Sequence, residues 1–345
     1  AETIFRHAND VLENGIIICD NPDQQASPRV KTDGVYAYIY WEDKRNDLGE
    51  DQDNPNIDPY VQKMDIEGNL LWNTNGIQVA NNSHGQIAVR MSPDQNGGAY
   101  FTWIDKRGVE DPDNLGYDIY AQHINSDGIL TFNSDGFSID TDKGIQHDPL
   151  VKANNLGEAF IVWSDQKNGS DLVIEIQKLT SSGIGFEENG KEIWYGQDGN
   201  SFLSGALQIS DDEALIAFED QQFHSNLFPG CYTYGLMFDQ YSDADSHEDA
   251  TPLSLNPYQG PHDESYYLRA KLARSGDRIM VNFTEYFDGY KQHIQILDED
   301  LNIFGDNNGT VVDEAGTDQP YSDICELNND FYIAYTSLEQ GYGIN

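Results

Sequence analysis

The sequence predicts an all-β fold of six repeats, each made of four short antiparallel strands. Three observations predict it. Six strand-like runs, YIYWED, YFTWID, FIVWSD, LIAFED, MVNFTE and YIAYTS, share an aromatic at Trp41, Trp103, Trp163, Phe218, Phe283 and Tyr335. The intervals between these aromatics are 62, 60, 55, 65 and 52 residues. Extended stretches flank each run at recurring distances, and a turn pair containing Gly opens the last stretch of most copies. A period of about 50 to 60 residues with four strands per unit is the signature of a β-propeller blade. The expected architecture is therefore a six-bladed β-propeller, one domain over residues 1–345.

Each strand of the repeat has its own signal. A glutamine 16 or 17 residues before the aromatic, at Gln25, Gln86, Gln146 and Gln319, opens the first strand, as in QASPRV and QHDPLV. The aromatic run is the second strand, rich in the aromatic and β-branched residues that suit a pleated surface. The third is YVQKMD, YAQHIN, IEIQKL or HIQILD, with Gln62, Gln122, Gln177 and Gln295 in matching places. The fourth begins at Asn14-Gly15, Asn75-Gly76, Asp135-Gly136, Asn189-Gly190 or Asn308-Gly309, pairs suited to the positive φ of a tight turn.

The chain starts and stops within a repeat. TIFRHAND matches the third strand, with Arg6 at the glutamine position, GIIICD matches the fourth, and the last copy stops after its second strand, DFYIAYTS. N- and C-terminal half-blades sharing one blade would pair both exposed edges. Residues 3 to 9 would then lie beside the strand of Tyr335. Because GYGIN at 341–345 resembles the start of a third strand, LGYDIY, a truncated parent chain or a seventh partial blade is the alternative. The closure puts Cys19 and Cys325 about three strand spacings of ~4.8 Å apart, beyond disulfide reach, so free thiols are expected.

Sixty acidic against 19 basic residues give a formal charge of −41, which excludes nucleic acid and anionic membranes as partners, since both need clustered Lys and Arg. Cations are the natural counterpart: the charge reads as a solvated acidic surface suited to salty or cold surroundings, with divalent-metal binding at a few carboxylates as the sharper alternative. No run of eighteen apolar residues is present, so no membrane insertion is expected. Three cysteines far apart, with no C-x-x-C pair, imply neither a disulfide framework nor zinc.

Acidic loops supply the first site candidates. Asp51, Asp53 and Asp58 form D-x-D-x4-D, and Asp111, Asp113 and Asp118 repeat it 60 residues on. Solvated or turn-capping aspartates are the plain reading of this spacing, and structural Ca2+, held by hard oxygen ligands on a loop that leads into a strand, is the sharper one. The acid two residues after each aromatic (Asp43, Asp105, Asp165, Asp220 and Glu285, replaced by Ser337 in the last copy) recurs too often for a catalytic role. With Arg45, Arg107 or Lys167 two residues further on, it reads as a blade fastener. The long fourth-copy segment carrying His224, Asp243, Asp245, His247, Glu248 and Asp249 reads as an exposed insertion. Tyr266, Tyr267 and Arg269, in SYYLRA, break the repeat and are candidate ligand-binding residues at a strand start.

The Trp-x-Asp-x-Arg strand end, the Tyr-x-x-Gln strand, the GNLLW turn at 68–72 and the closing Asn-Gly strand together resemble the propeller repeats of secreted bacterial proteins. These repeats are common in large surface proteins of Bacteroidota and marine bacteria, often exported by the type IX system. The resemblance covers nearly the whole chain and is sharpest in copies one to three. It implies a secreted or cell-surface location, within a larger surface protein or complex. The S-x-D-x-G-x-T-W box of sialidases, the WD40 spacing and a phytase signature are absent, so no catalytic residues carry over. The expected function is a non-catalytic propeller module that binds a protein or glycan through its loops. The alternative is a carbohydrate-active enzyme, a glycoside hydrolase or polysaccharide lyase, working in the central funnel.

Overall fold

The computed structural model describes residues 15–47, 55–107, 117–167, 172–195, 201–222, 230–241, 250–253, 270–286, 290–305, 309–312, 322–337 and 343–344. These contain strands and turns and no α-helix. The first sheet holds β1 (Gln25–Thr32), β2 (Ala37–Asp43), β3 (Asp58–Met64) and β4 (Ile77–Gln78); the second holds β5 (Gln86–Pro93), β6 (Ala99–Asp105), β7 (Asp118–Ile124) and β8 (Phe137–Asp140). The third holds β9 (Gly144–Ala153), β10 (Ala159–Lys167), β11 (Val173–Thr180), β12 (Gly183–Ile184) and β13 (Lys191–Tyr195). The fourth comprises β14 (Ser201–Gln208), β15 (Glu213–Gln222), β16 (Gly230–Asp239) and β17 (Thr251–Pro252). In the fifth are β18 (Lys271–Ser275), β19 (Arg278–Tyr286), β20 (Tyr290–Leu297), β21 (Ile303–Phe304) and β22 (Thr310–Val311). The sixth has β23 (Ser322–Leu327), β24 (Asp330–Ser337) and β25 (Gly343–Ile344). In every sheet the first three strands are neighbours in sequence order, the meander of a propeller blade, and in the third and fifth sheets two short strands both pair with the third, β12 and β13 with β11, β21 and β22 with β20.

Residues 1–161 with 177–189 form one compact unit, and 162–176 with 190–345 a second; the division runs through the third sheet. In the first unit, Tyr38, Tyr40, Val61, Val89, Phe101, Trp103 and Ile124 belong to one buried cluster. In the second, Leu215, Ala217, Ile279, Val281, Phe283 and Leu297 belong to another. β6 is buried at all seven positions, as expected of an inner strand covered on both faces.

The repeated residues have repeated tasks. Gln62 Nε2 donates to Asn73 O (2.9 Å), and its Oε1 accepts from the amides of Lys63 (2.9 Å) and Trp72 (3.0 Å). Gln122 does the same with Asn133 O, His123 N and Phe132 N, and Gln177 with Glu187 O, Lys178 N and Phe186 N. One buried amide thus satisfies an amide of the third strand and two backbone groups of the turn after it, groups that would otherwise be orphaned. The turn glycines answer to the aromatics. Gly76, Gly136 and Gly190 sit at φ +83°, +91° and +91°, where a Cβ would come within 2.5, 2.6 and 2.4 Å of the rings of Trp41, Trp103 and Trp163.

First strands dock onto the preceding sheet: Gln86 N donates to Ile57 O (3.0 Å), Gln146 N to Tyr117 O (3.1 Å), and in the second unit Ser201 N to Leu172 O (3.0 Å). The first strands β1 and β5 also bulge, between Ala26 and Arg29 and between Ile87 and Arg90, with Ser27 and Ala88 at φ 53° and 54°, and Asp148 of β9 has the same conformation at φ 52°. Such bulges re-aim the side chains that follow them.

At the chain ends, residues 1–14 lie outside the described residues, so the pairing expected for residues 3–9 does too. The position beside Thr336 and Ser337 is taken by Ile344 and Gly343 of β25, the GYGIN register. Cys19 and Cys325 are free thiols.

Candidate functional site

Strand pairing brings the repeated carboxylates together at one end of the first two sheets, Asp43 opposite Asp58 and Asp105 opposite Asp118. Asp43 accepts from Trp41 Nε1 (2.9 Å) and Arg45 N (2.9 Å) and pairs with the Arg45 guanidinium (2.6 Å). That guanidinium lies 3.8 Å from the centroid of the Tyr60 ring, and Tyr60 stacks on Trp41. The second sheet repeats the clamp with Trp103, Asp105, Arg107 and Tyr120. Burial opposes ionisation of Asp43, but its bonds from Arg45 and Trp41 outweigh that and hold it below the usual carboxylate range. These groups bond to one another and fasten the blade. In the third copy Glu175 replaces the tyrosine, and its carboxylate lies within 4.8 Å of that of Asp165.

Asp58 differs from its neighbours. Its Oδ2 accepts from Asn46 Nδ2 (2.7 Å) and Gln78 Nε2 (2.9 Å), while buried Oδ1 has no partner among the described residues. Burial raises its pKa most, the Asn46 amide opposes this and nearby Asp43 adds to it, giving a value of about 6. Of the other expected metal ligands, Asp118 is buried at the start of β7. Asp51, Asp53, Asp111 and Asp113 lie outside the described residues, as do Tyr266, Tyr267 and Arg269 and the histidines and carboxylates of the fourth-copy insertion.

The raised value of Asp58 has a definite sign. The folded state holds this proton more tightly than an unfolded Asp of pKa about 3.9, so losing it between pH ~4 and ~6 works against folding. In chelator, Asp58→Asn should show a smaller gain in melting temperature than the parent as pH falls from 7.5 to 5.5. Parallel pH profiles by circular dichroism would rule out Asp58 as the source.

At the opposite end of the same sheets a cleft of about 340 Å³ opens between the first two sheets, lined by Asp33, Tyr36, Lys63, Asn96 and Ser126 among others. Lys63, at the end of β3, is 4% exposed. Its Nζ donates to Gly97 O (2.6 Å) and stands 3.9 Å from the centroid of the Tyr36 ring. Burial lowers its pKa, and the carboxylates of Asp33, Asp94 and Asp127 work the other way. Asp33 Oδ1 accepts the amides of Val35 (2.8 Å) and Tyr36 (2.7 Å), and Oδ2 accepts the Tyr38 hydroxyl (2.9 Å). Exposed Gln95, Asn96 and Ser126 form the rim, and Val35 stands 58% exposed beside them. The cleft thus presents an aromatic ring, an ammonium with spare donor capacity, a fixed carboxylate and side-chain amides.

Sequence reasoning missed this cleft. Its signal was Tyr36, which stands where the second copy has Gly98 and the third Glu158, an aromatic confined to one copy.

No protein-family model and no curated protein sequence matches the chain. Solved structures do resemble it. An α-L-arabinanase of Penicillium chrysogenum complexed with arabinobiose matches over 91% of this chain and 88% of its own, at 13% identity and a TM-score of 0.54. An α-L-arabinofuranosidase of Fusarium graminearum, in complex with an iminosugar inhibitor, matches over 95% of both chains at 11% identity and a TM-score of 0.54. The β-propeller domain of the Trilobed protease of Pyrococcus furiosus, described as having an open velcro topology, matches over 93% of this chain and 81% of its own, at 11% identity and a TM-score of 0.50. At these identities the likeness shows the fold.

Proposed function

On the shared β-propeller fold, we propose a carbohydrate-directed protein of the glycoside-hydrolase-like kind, which holds a sugar unit in the cleft between its first two sheets. The cleft chemistry carries this reading: an exposed rim of amides, a carboxylate, an ammonium and an aromatic face match the alternating hydroxyls and C–H patches of a sugar ring. That two propellers of this fold hold a sugar or an iminosugar supports it. The reading prefers an enzyme, acting in the funnel of a closed ring, to a purely adhesive module. A panel of oligosaccharides, scored for both binding and reducing-end release, tests it. Tyr36→Ala and Asn96→Ala should each weaken binding at least tenfold, with melting temperatures measured alongside. Failure of every oligosaccharide to bind would overturn the reading, and binding without release would reduce it to a binding module.

The ring is proposed to have six blades and to close through the chain ends. Asp20 N donates to Asn75 Oδ1 (2.8 Å), as Asn81 N does to Ser134 O (2.8 Å) and Thr141 N to Asn189 Oδ1 (3.3 Å). Asp20 thus docks on the first sheet as the residues after β4 and β8 dock on the sheets that follow them, which supports residues 15–20 as the end of a fourth strand. Structural Ca2+ remains part of the proposal, with Asp58 as the ligand whose buried, unpartnered Oδ1 fits a hard cation. Secretion or cell-surface display rests on the resemblance of the repeats.

A further inference from the structure

We infer that the first strands of sheets one to three bind the acidic group, a carboxylate or sulfate ester, of an anionic glycan. This rests on the carbohydrate reading and names its substrate class.

The repeat register aligns Arg29, Arg90 and Leu150, each four residues after the opening glutamine, and Lys31, Ser92 and Lys152, two residues later. Residues two apart on a strand face the same way. In β5 and β9 this is the accessible face, since Val89, Met91 and Val151 between them are buried. β1, β5 and β9 are successive neighbours, so four cationic side chains share one surface. The bulges at Ser27 and Ala88, and Asp148 with its matching positive φ, immediately precede these rows.

The lack of counter-ions at Arg29, Lys31 and Lys152 is the anomaly. Acids outnumber bases 60 to 19 in this chain, and Arg45, Arg107 and Lys178 each have a carboxylate partner. Among the described residues, none of Arg29, Lys31 and Lys152 pairs with one. The guanidiniums of Arg29 and Arg90 converge on one backbone carbonyl, Val89 O, at 3.2 and 3.1 Å. Lys152 is half-buried; burial and then the charge of Lys31 pull it down to about 8. Mutual repulsion of this kind is relieved by an anion held between the cations. Ser92 Oγ already accepts from Ala153 N (3.0 Å), which ties the second and third first strands together below the row. The acidic exterior repels polyanions, so the row discriminates by local contact and not by steering.

The test is calorimetric titration of the intact protein with a uronate oligomer, a sulfated oligomer and a neutral arabino-oligosaccharide of equal length, plus inorganic sulfate. The acidic oligomers should bind at least tenfold more weakly to the variant carrying Lys31→Ala and Lys152→Met, and binding should fall with salt. Neutral binding should be unchanged in that variant. Which acidic oligomer binds more tightly tells carboxylate from sulfate. Equal affinity for acidic and neutral oligomers, or no effect of the double substitution, would overturn the anion site while leaving the carbohydrate reading standing. Lysine-dependent sulfate binding with no oligosaccharide bound would do the reverse.

Discussion

Asp105→Ala should lower the unfolding free energy by about 3–5 kcal/mol, the range for removing one partner of a buried ion pair. The Asp105 side chain is fully buried and accepts from Trp103 Nε1 (3.0 Å), Arg107 N (2.9 Å), Arg107 Nε (2.8 Å) and the guanidinium end (2.7 Å). Its removal strands an indole N–H and a guanidinium that is itself packed on Tyr120. Urea unfolding of the intact chain should show the midpoint fall with an unchanged slope. Asp105→Asn, which retains one acceptor, should fall between the two. A loss below ~1 kcal/mol for Asp105→Ala would mean that the clamp is surplus to blade stability.

Gly136→Ala should be nearly as damaging, for two separable reasons. A residue with a Cβ at positive φ loses about 1–2 kcal/mol, and forcing a methyl into packed surroundings adds about 1–3 kcal/mol. Gly34, at φ +87° with nothing within 4 Å of where a methyl would stand, supplies the control, because Gly34→Ala carries the backbone part alone. The difference between the two variants measures the Trp103 contact. Equal losses would show that the indole moves aside.

This glycine marks how far the sequence can be read. Asn-Gly and Asp-Gly announce a turn, and the turn is there, but the ring above it comes from a strand more than thirty residues away and leaves no local trace. The four-strand repeat was legible because alternation, turn residues and period all point to one arrangement. The Trp-x-Asp-x-Arg fastener was legible because partners two residues apart at a strand end must meet. The Gln62 amide was visible only as a recurrence, since its acceptors and donors are backbone groups that any sequence carries. Neither the cleft nor the raised Asp58 could be seen, because both depend on which side chains a neighbouring sheet brings up. The Lys63 ammonium meets Gly97 of the next repeat, a proximity that no spacing within one copy encodes.

The fasteners are not shared evenly along the chain. Two residues after the position of the repeated acid, which is Ser337 in the last copy, come Arg45, Arg107 and Lys167, but then Gln222, Phe287 and Glu339. Sheet six adds to the contrast, since none of the six residues of β23 is buried. Local opening draws on the least-clamped, least-buried backbone first. The repeats should therefore be unequal as units of exchange, with the amides of β23 exchanging well before those of β6 and β7 in a native-state hydrogen-exchange experiment. On such a scaffold, limited proteolysis should cut within the sixth sheet long before it reaches the buried strand that carries Trp103.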